Sequence, residues 1–297
     1  MADRHKKIEP VAADAVRRAT VAGKFYPDHP QLLRQHVQEM LAQAAVKPAS
    51  AQLLAAIAPH AGYRYSGNVA AHSYARLRHQ HVDTVIFIAP SHWERFPFIS
   101  IFTGQSFRTP LGDLPVATTI AEQLLHKHDY FMSAWHGHRT EESRGEHAIE
   151  VQLPFLQVAL PDCAIVPIVM GEQSWELCEA LGLALAEMAA KTPFVMVASS
   201  DLSHYHEYHE ARRIDAYFMQ LLQTLDPPRV FEALHSRVCE ACGAGPIVAA
   251  MIAARELGAD DAEILCYQNS GDTGGDYEAV VGYVSATLER MNGTGNS

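Results

Sequence analysis

Two histidines and an Asp/His pair stand at the carboxyl ends of three apolar runs, and these residue types hold metals and move protons. LLAAIAPH ends on His60, TVIFIAPSH ends on His92, and FVMVASSDLSH carries Asp201 and His204. Neutral imidazole is a frequent metal ligand, and a carboxylate beside it serves as ligand, orienter or general base. In an open α/β sheet, ligands bind outside the carboxyl ends of the strands. If the three runs are neighbouring strands, residues about 140 positions apart converge on one pocket.

Each residue also has a plainer reading. A single histidine at a strand end is most often a hydrogen-bonded structural residue. The second copy, in the similar context APSH, favours a shared role for His60 and His92. Ser199, Ser200 and Asp201 are good helix N-caps, so Asp201 is either a cap or a site residue. Its spacing from His204 puts both on one face if a helical turn starts there. His206 and His209 read as the solvated start of the next helix.

Cys242, in ACGAGPI, is a soft ligand or a nucleophile, and the glycines around it allow close backbone approach. Yet free cysteine is commonly buried, and Cys239 with Cys242 forms a C-x-x-C that has no second pair. On residues alone, Cys242 reads as structural. Glu146 and His147 open GEHAIEVQLPFL, where a helix start favours an acid. His147 is a candidate proton donor near the pocket, although Ile149, Val151, Leu153 and Leu156 already explain a packed helix. His126, His128, His136 and His138 read as a surface loop. No Walker loop, dinucleotide fingerprint, nucleophile elbow or H-E-x-x-H motif is present.

The elements that must position these residues are legible from periodicity. Continuous apolar runs at 53–58, 84–89 and 194–198 suit strands covered on both faces, hence a parallel sheet between helices. Further strands are predicted near 98–102, 164–169, 263–267 and 279–285. Helices are predicted at 30–45 and near 67–79, 116–128, 147–158, 174–190, 206–224 and 243–257. This alternation predicts one three-layer α/β domain over 1–297, with an irregular lead-in over 1–29 and a mostly parallel or mixed central sheet. SGDTGGDYEA (270–279) reads as a turn.

The chain has 297 residues, 48% of them hydrophobic, which suffices for a large core. Its 34 acidic and 23 basic residues give a formal charge of −11, which argues against nucleic acid or an anionic membrane as the main partner. No apolar run reaches the roughly 18 residues of a membrane span. MADRHKKIEPVAADAVRRAT lacks the apolar segment of a secretory signal. Five cysteines are an odd, sparse set, unlike a disulfide framework, so a reducing cytoplasm is expected.

Taken together, APHAGYRYSG (58–67), APSH, TPLGDLPV, EHAIEVQLPFL, VPIVMG, SSDLSHY, ACGAGPI, SGDTGGD and VVGYVSA resemble the Memo family, whose prokaryotic members are known as AmmeMemoRadiSam system protein B. The likeness runs from about residue 20 to 286. It implies a fold similar to the class III extradiol dioxygenases, which use non-haem iron(II). It implies that His60, His92 and Cys242 occupy metal-ligand positions, that Asp201 and His204 line the same pocket, and that His147 lines it too. The ring-cleaving enzymes use two histidines and a carboxylate; here a cysteine replaces the carboxylate, a softer and oxidisable donor. Two functions follow as expectations. One is an iron(II)-dependent oxidoreductase, with copper or zinc as alternatives, acting on a small molecule such as a phenol. In it His204 is the acid/base, Asp201 orients, and Tyr63 and Tyr65 line the entrance. The other is a non-catalytic protein that binds a ligand or peptide in the same pocket. The resemblance also implies radical-SAM and AMMECR-type protein partners.

Overall fold

A computed structural model describes residues 8–44, 46, 51–141 and 145–291. In chain order the elements are β1 (Val16–Arg17), α1 (Pro30–Gln43), β2 (Ala51–Ala58), α2 (Tyr63–Leu77), β3 (Thr84–Pro90), β4 (Ile99–Ile101), β5 (Ser106–Thr109) and β6 (Gly112–Pro115). They continue with α3 (Thr118–Leu125), β7 (Phe131–Ser133), a 3₁₀ turn (Glu150–Gln152) running into α4 (Leu153–Ala159), β8 (Ala164–Met170), α5 (Trp175–Ala189) and β9 (Val195–Ser199). The last are β10 (His204–His206), α6 (Tyr208–Leu222), α7 (Pro227–His235), α8 (Ala244–Glu256), β11 (Asp261–Asn269), α9 (Ser270–Gly274) and β12 (Val280–Met291).

The apolar runs are strands because both of their faces are buried. Along β3, Ile86 and Ile88 face one core, while Val85, Phe87 and Ala89 face another. β9 divides in the same way, Met196 and Ala198 against Val195 and Val197. Side chains alternate across a strand, so each run must be apolar throughout to satisfy two cores. Helices α5 to α8 supply the first core and α1, α2 and α4 the second, which makes a three-layer α/β sandwich.

The main sheet has the order β10-β12-β2-β9-β3-β8-β4-β7, with β11 paired to β12. β2, β9, β3 and β8 are parallel; β12 runs antiparallel to β2 and β4 antiparallel to β8, so the sheet is mixed. A smaller sheet, β1-β5-β6, ties the lead-in to the body. There Arg17, almost fully buried, forms an ion pair with Glu150. Glu150 also accepts hydrogen bonds from the Thr20 and Val21 amides and the Tyr26 hydroxyl.

Several segments differ from the sequence-based expectation. The helix expected near 67–79 begins at Tyr63, and Gly67 lies inside it, where a Cβ would come within 2.7 Å of Met40 Sδ. The glycine thus permits close α1–α2 packing and does not end a loop. Residue 45 of the expected 30–45 helix lies outside the described residues. No helix starts at Asp201: residues 204–206 pair with β12, and α6 begins only at Tyr208, capped by Glu207. His206 therefore sits in β10, bound to Glu240, while His209 is in the first turn of α6. The expected turn at 270–279 opens with a short helix under an Asn269/Asp272 capping box.

The expectation of a surface loop also fails for His138, which is 1% exposed and packs edge-on against Phe102 and Phe107. Burial and the nearby Arg17 charge lower its pKa to about 3. The unfolded chain takes up a proton at this residue below about pH 6.5, while the native protein stays neutral there until about pH 3. Stability should therefore fall as pH drops from 6.5 towards 3. Denaturant titrations at pH 7 and pH 4.5 should show a smaller loss in His138→Gln than in wild type; equal losses would refute this assignment.

Candidate metal centre

β9 lies between β2 and β3, so the carboxyl ends of these three neighbours point to one place. β2 delivers His60, β9 delivers Ser199 and Asp201, and β3 delivers His92. With strands about 4.8 Å apart, the two histidine-bearing strands stand about 10 Å apart, and side chains of this length reach each other across the gap. Cys242 arrives from the loop before α8. Among the described residues, His60, His92 and Cys242 have ligand atoms all within 4.8 Å of one another. Cys242 Sγ lies 3.3 Å from His60 Nε2. Two imidazoles and a thiolate are a donor set that fits iron(II), copper or zinc and leaves coordination positions for other ligands.

The backbone holds the thiol in place. The Cys242 amide donates to the Asp201 carbonyl, and the Asp201 amide donates to Cys242 Sγ at 3.2 Å. The next amide, of Gly243, donates to Ser200 Oγ at 2.8 Å. Gln173 clamps the loop from the other side, donating to the Cys242 carbonyl and accepting from the Gly245 amide. This approach requires glycine at 243: a Cβ there would fall 2.4 Å from the Ser199 carbonyl oxygen.

His60 is oriented by a neutral network. Ser199 Oγ donates to the Ala148 carbonyl, so it must accept from His60 Nδ1 (2.8 Å) and Gln152 Nε2 (2.9 Å). A His60 proton therefore sits on Nδ1, and Nε2 is the ring atom that faces Cys242. Asp201 Oδ1 accepts from the His60 amide at 2.8 Å. Asp201 is thus an anchor of the β2 end and not the helix cap weighed from sequence.

A third imidazole joins the cluster. His147 stacks on His92 with centroids 4.6 Å apart, lies 5.5 Å from His60, and is covered by Phe25 of the lead-in at 4.9 Å. Burial and the charges of His60 and His92 lower its pKa to about 3. For Cys242, burial opposes the charged form, but the His60 charge and hydrogen bonds from His60 and His92 outweigh it and lower the thiol to about 6. For His92, burial likewise opposes charge, and hydrogen bonds to Cys242 and Glu146 overcome it and raise the ring's pKa. The metal-free cluster thus favours a thiolate–imidazolium pair, and a metal would displace its proton.

Asp201 is raised to about 6, since burial outweighs the hydrogen bond from the His60 amide and the nearby His204 charge. His204 donates from Nδ1 to the Leu202 carbonyl at 2.8 Å, which leaves Nε2 free to accept a proton. It shares a cavity of about 330 Å³ with Cys242, Cys239 and Glu240. A larger cavity, about 730 Å³, reaches His92 and is walled by Trp93, Trp175 and Phe231.

Two residues expected at the entrance have different fates. Tyr63 is 4% exposed and its hydroxyl donates to the Val151 carbonyl, so it packs inside the second core and lines no entrance. The start of α2 at Tyr63 turns this ring inward. Tyr65 is 39% exposed and lies against Gly274. Cys239 is fully buried and unpaired, so the C-x-x-C is not a disulfide. Sequence reading took Ser199 for a helix cap and Glu146 for a helix-start acid, and gave neither of them, nor Gln152, a role in orienting the histidines. Gln152 lies in the GEHAIEVQLPFL segment, but its polar role was hidden among apolar neighbours that already explained a packed helix.

The family model for "Memo-like protein" matches residues 17–287. A MEMO1 family protein of Methanosarcina barkeri is 37% identical over 277 residues, covering 92% of this chain and all of that protein. Another, from Methanobrevibacter smithii, is 32% identical over 286 residues with the same coverage of each. Among solved structures, an uncharacterized protein of Escherichia coli K12 superposes with a TM-score of 0.53 at 14% identity, covering 80% of this chain and all of that one.

The tight Gly243 contact gives a test. Gly243→Ala should lower stability by about 1–3 kcal/mol, because the loop must retreat from the β9 end. Chemical denaturation measures this, and wild-type stability in the variant would mean that the loop has slack.

Proposed function

The chain belongs to the Memo-like family, and from that premise we propose that it is a metal-dependent oxidoreductase acting on a small, phenol-type molecule. The observation that carries this reading is the convergence of His60, His92 and Cys242 within ligand distance of one ion, beside an aromatic-walled cavity. Iron(II) is the metal of choice, with copper or zinc as the rivals. Bound there, iron(II) would offer open positions to a substrate hydroxyl and to dioxygen.

The chain's own residues supply the rest. Trp93, Trp175 and Phe231 give a flat ring apolar walls on the approach to His92. His204 Nε2 accepts the hydroxyl proton, since Nδ1 is engaged with the Leu202 carbonyl. Asp201 holds the His60 backbone in place. His147, kept neutral under Phe25, adds no positive charge beside the ligands. The Cys242 thiolate gives the ion more electron density than a carboxylate would, so the substrate range need not follow that of ring-cleaving relatives in fold.

Anaerobic purification followed by elemental analysis, before and after iron(II) loading, tests the assignment. Near-stoichiometric iron in wild type and loss of it in His60→Ala, His92→Ala and Cys242→Ala are expected. Retention of full metal in all three variants would overturn the site. Absence of any specific metal, together with saturable binding of a small ligand or peptide, would favour a non-catalytic binding protein using the same cavity.

A further inference from the structure

We propose that Glu146 is the positioning residue of His92, fixing the ring so that Nε2 is the atom offered to a metal; this inference rests on the metal-centre reading above. Glu146 is 4% exposed. Its Oε1 accepts from His92 Nδ1 at 2.8 Å, and its Oε2 accepts from the His92 amide at 2.7 Å. The same carboxylate therefore grips both the ring and the backbone of one residue. With Nδ1 committed to Glu146, the ring makes its contact with Cys242 through Nε2.

A rival reading is that Glu146 is itself a ligand. His92, Glu146 and His147 also have spacing that could hold an ion. The hydrogen bonds decide against it. Besides the two from His92, Glu146 Oε1 accepts from the His147 amide at 2.8 Å and the Ala148 amide at 3.1 Å. Three of these four donors fall on Oε1, which has about two lone pairs, so that oxygen has none left for an ion, and Oε2 is already held by the His92 amide. An ion would have to break contacts that the backbone has already arranged. Arg17 adds to that arrangement by donating to the Glu146 carbonyl, so the lead-in helps hold the carboxylate still.

The two ligand histidines are thus oriented by unlike partners. His60 donates to a hydroxyl, Ser199, and His92 donates to a carboxylate. A carboxylate partner makes the imidazole a stronger donor and locks its tautomer more firmly. His92 should be the more sensitive of the two to loss of its partner.

The test uses cobalt(II) alone as the metal probe, with the intact chain as wild type, Glu146→Gln and Glu146→Ala. Wild type should bind one cobalt per chain. Both variants should bind it about 10- to 100-fold more weakly, while the thiolate-to-cobalt absorption persists because Cys242 still ligates. Nitrogen-15 NMR of the metal-free proteins supplies a readout that a merely structural role would not move. The His92 Nδ1 proton, held by the carboxylate, should give a far-downfield signal in wild type, shifted upfield in Glu146→Gln and lost to exchange in Glu146→Ala. Glu146→Gln preserves side-chain volume, so it remains informative if the alanine variant fails to fold. An unchanged Nδ1 proton signal with unchanged affinity would overturn the proposal. Two cobalt ions in wild type and one in Glu146→Gln would also overturn it, by making Glu146 a ligand. If wild type takes up no cobalt, the metal reading fails, and the Nδ1 proton signal alone decides the role of Glu146.

Discussion

Strand β9 is inserted between β2 and β3, and the site depends on that order. The chain makes β2 and β3 in succession, yet leaves a gap between them that it fills more than a hundred residues later. The gap separates His60 and His92 enough for a third strand end to enter between them. That end brings Ser199, which orients His60, and Asp201, whose carbonyl and amide hold Cys242. A β2–β3 pair without β9 would leave no scaffold for the thiol.

The polar cluster survives burial because its members satisfy one another. A buried polar group without a partner costs about 1–3 kcal/mol, and a buried charge costs more. Here Gln152 donates to Ser199 and to the Ala58 and Pro59 carbonyls, while its Oε1 accepts from Tyr74. Glu150 collects Arg17, Tyr26 and two backbone amides. Removing one partner from such an ion pair typically costs about 3–5 kcal/mol, since the other charge is left uncompensated. The Arg17–Glu150 pair thus ties the lead-in, which carries Phe25, to the floor of the site. Rigidity there keeps His147 covered and the imidazoles in register.

Much of this was readable from residue order. Apolar runs announced β2, β3 and β9, and the polar residues just after them marked the strand ends where ligands bind. The helix of 243–257 followed from its apolar content, and Asp226-Pro227-Pro228 would have announced α7, since a cap followed by proline is a helix start. Short edge elements were not readable. β10 is three residues long and exists because β12 pairs with it, so no local pattern reports it. The same holds for the β5–β6 hairpin. Cys242 looked structural on its own residues and stood out only through likeness to a family, because nothing near it in sequence says that it faces His60.

The sequence by itself determined the layers, the strands and the side of the sheet on which His60, His92 and Asp201 emerge, since burial on two faces forces continuous apolar runs and those runs end where polar residues begin. Only the tertiary structure decided which of these residues touch. Whether Asp201 caps a helix or anchors His60, whether Tyr63 faces inward, and whether Glu146 serves a helix or a histidine all depend on contacts between segments distant in the chain. Such contacts are set by strand order and close packing, and neither leaves a periodic mark in the residues that make them.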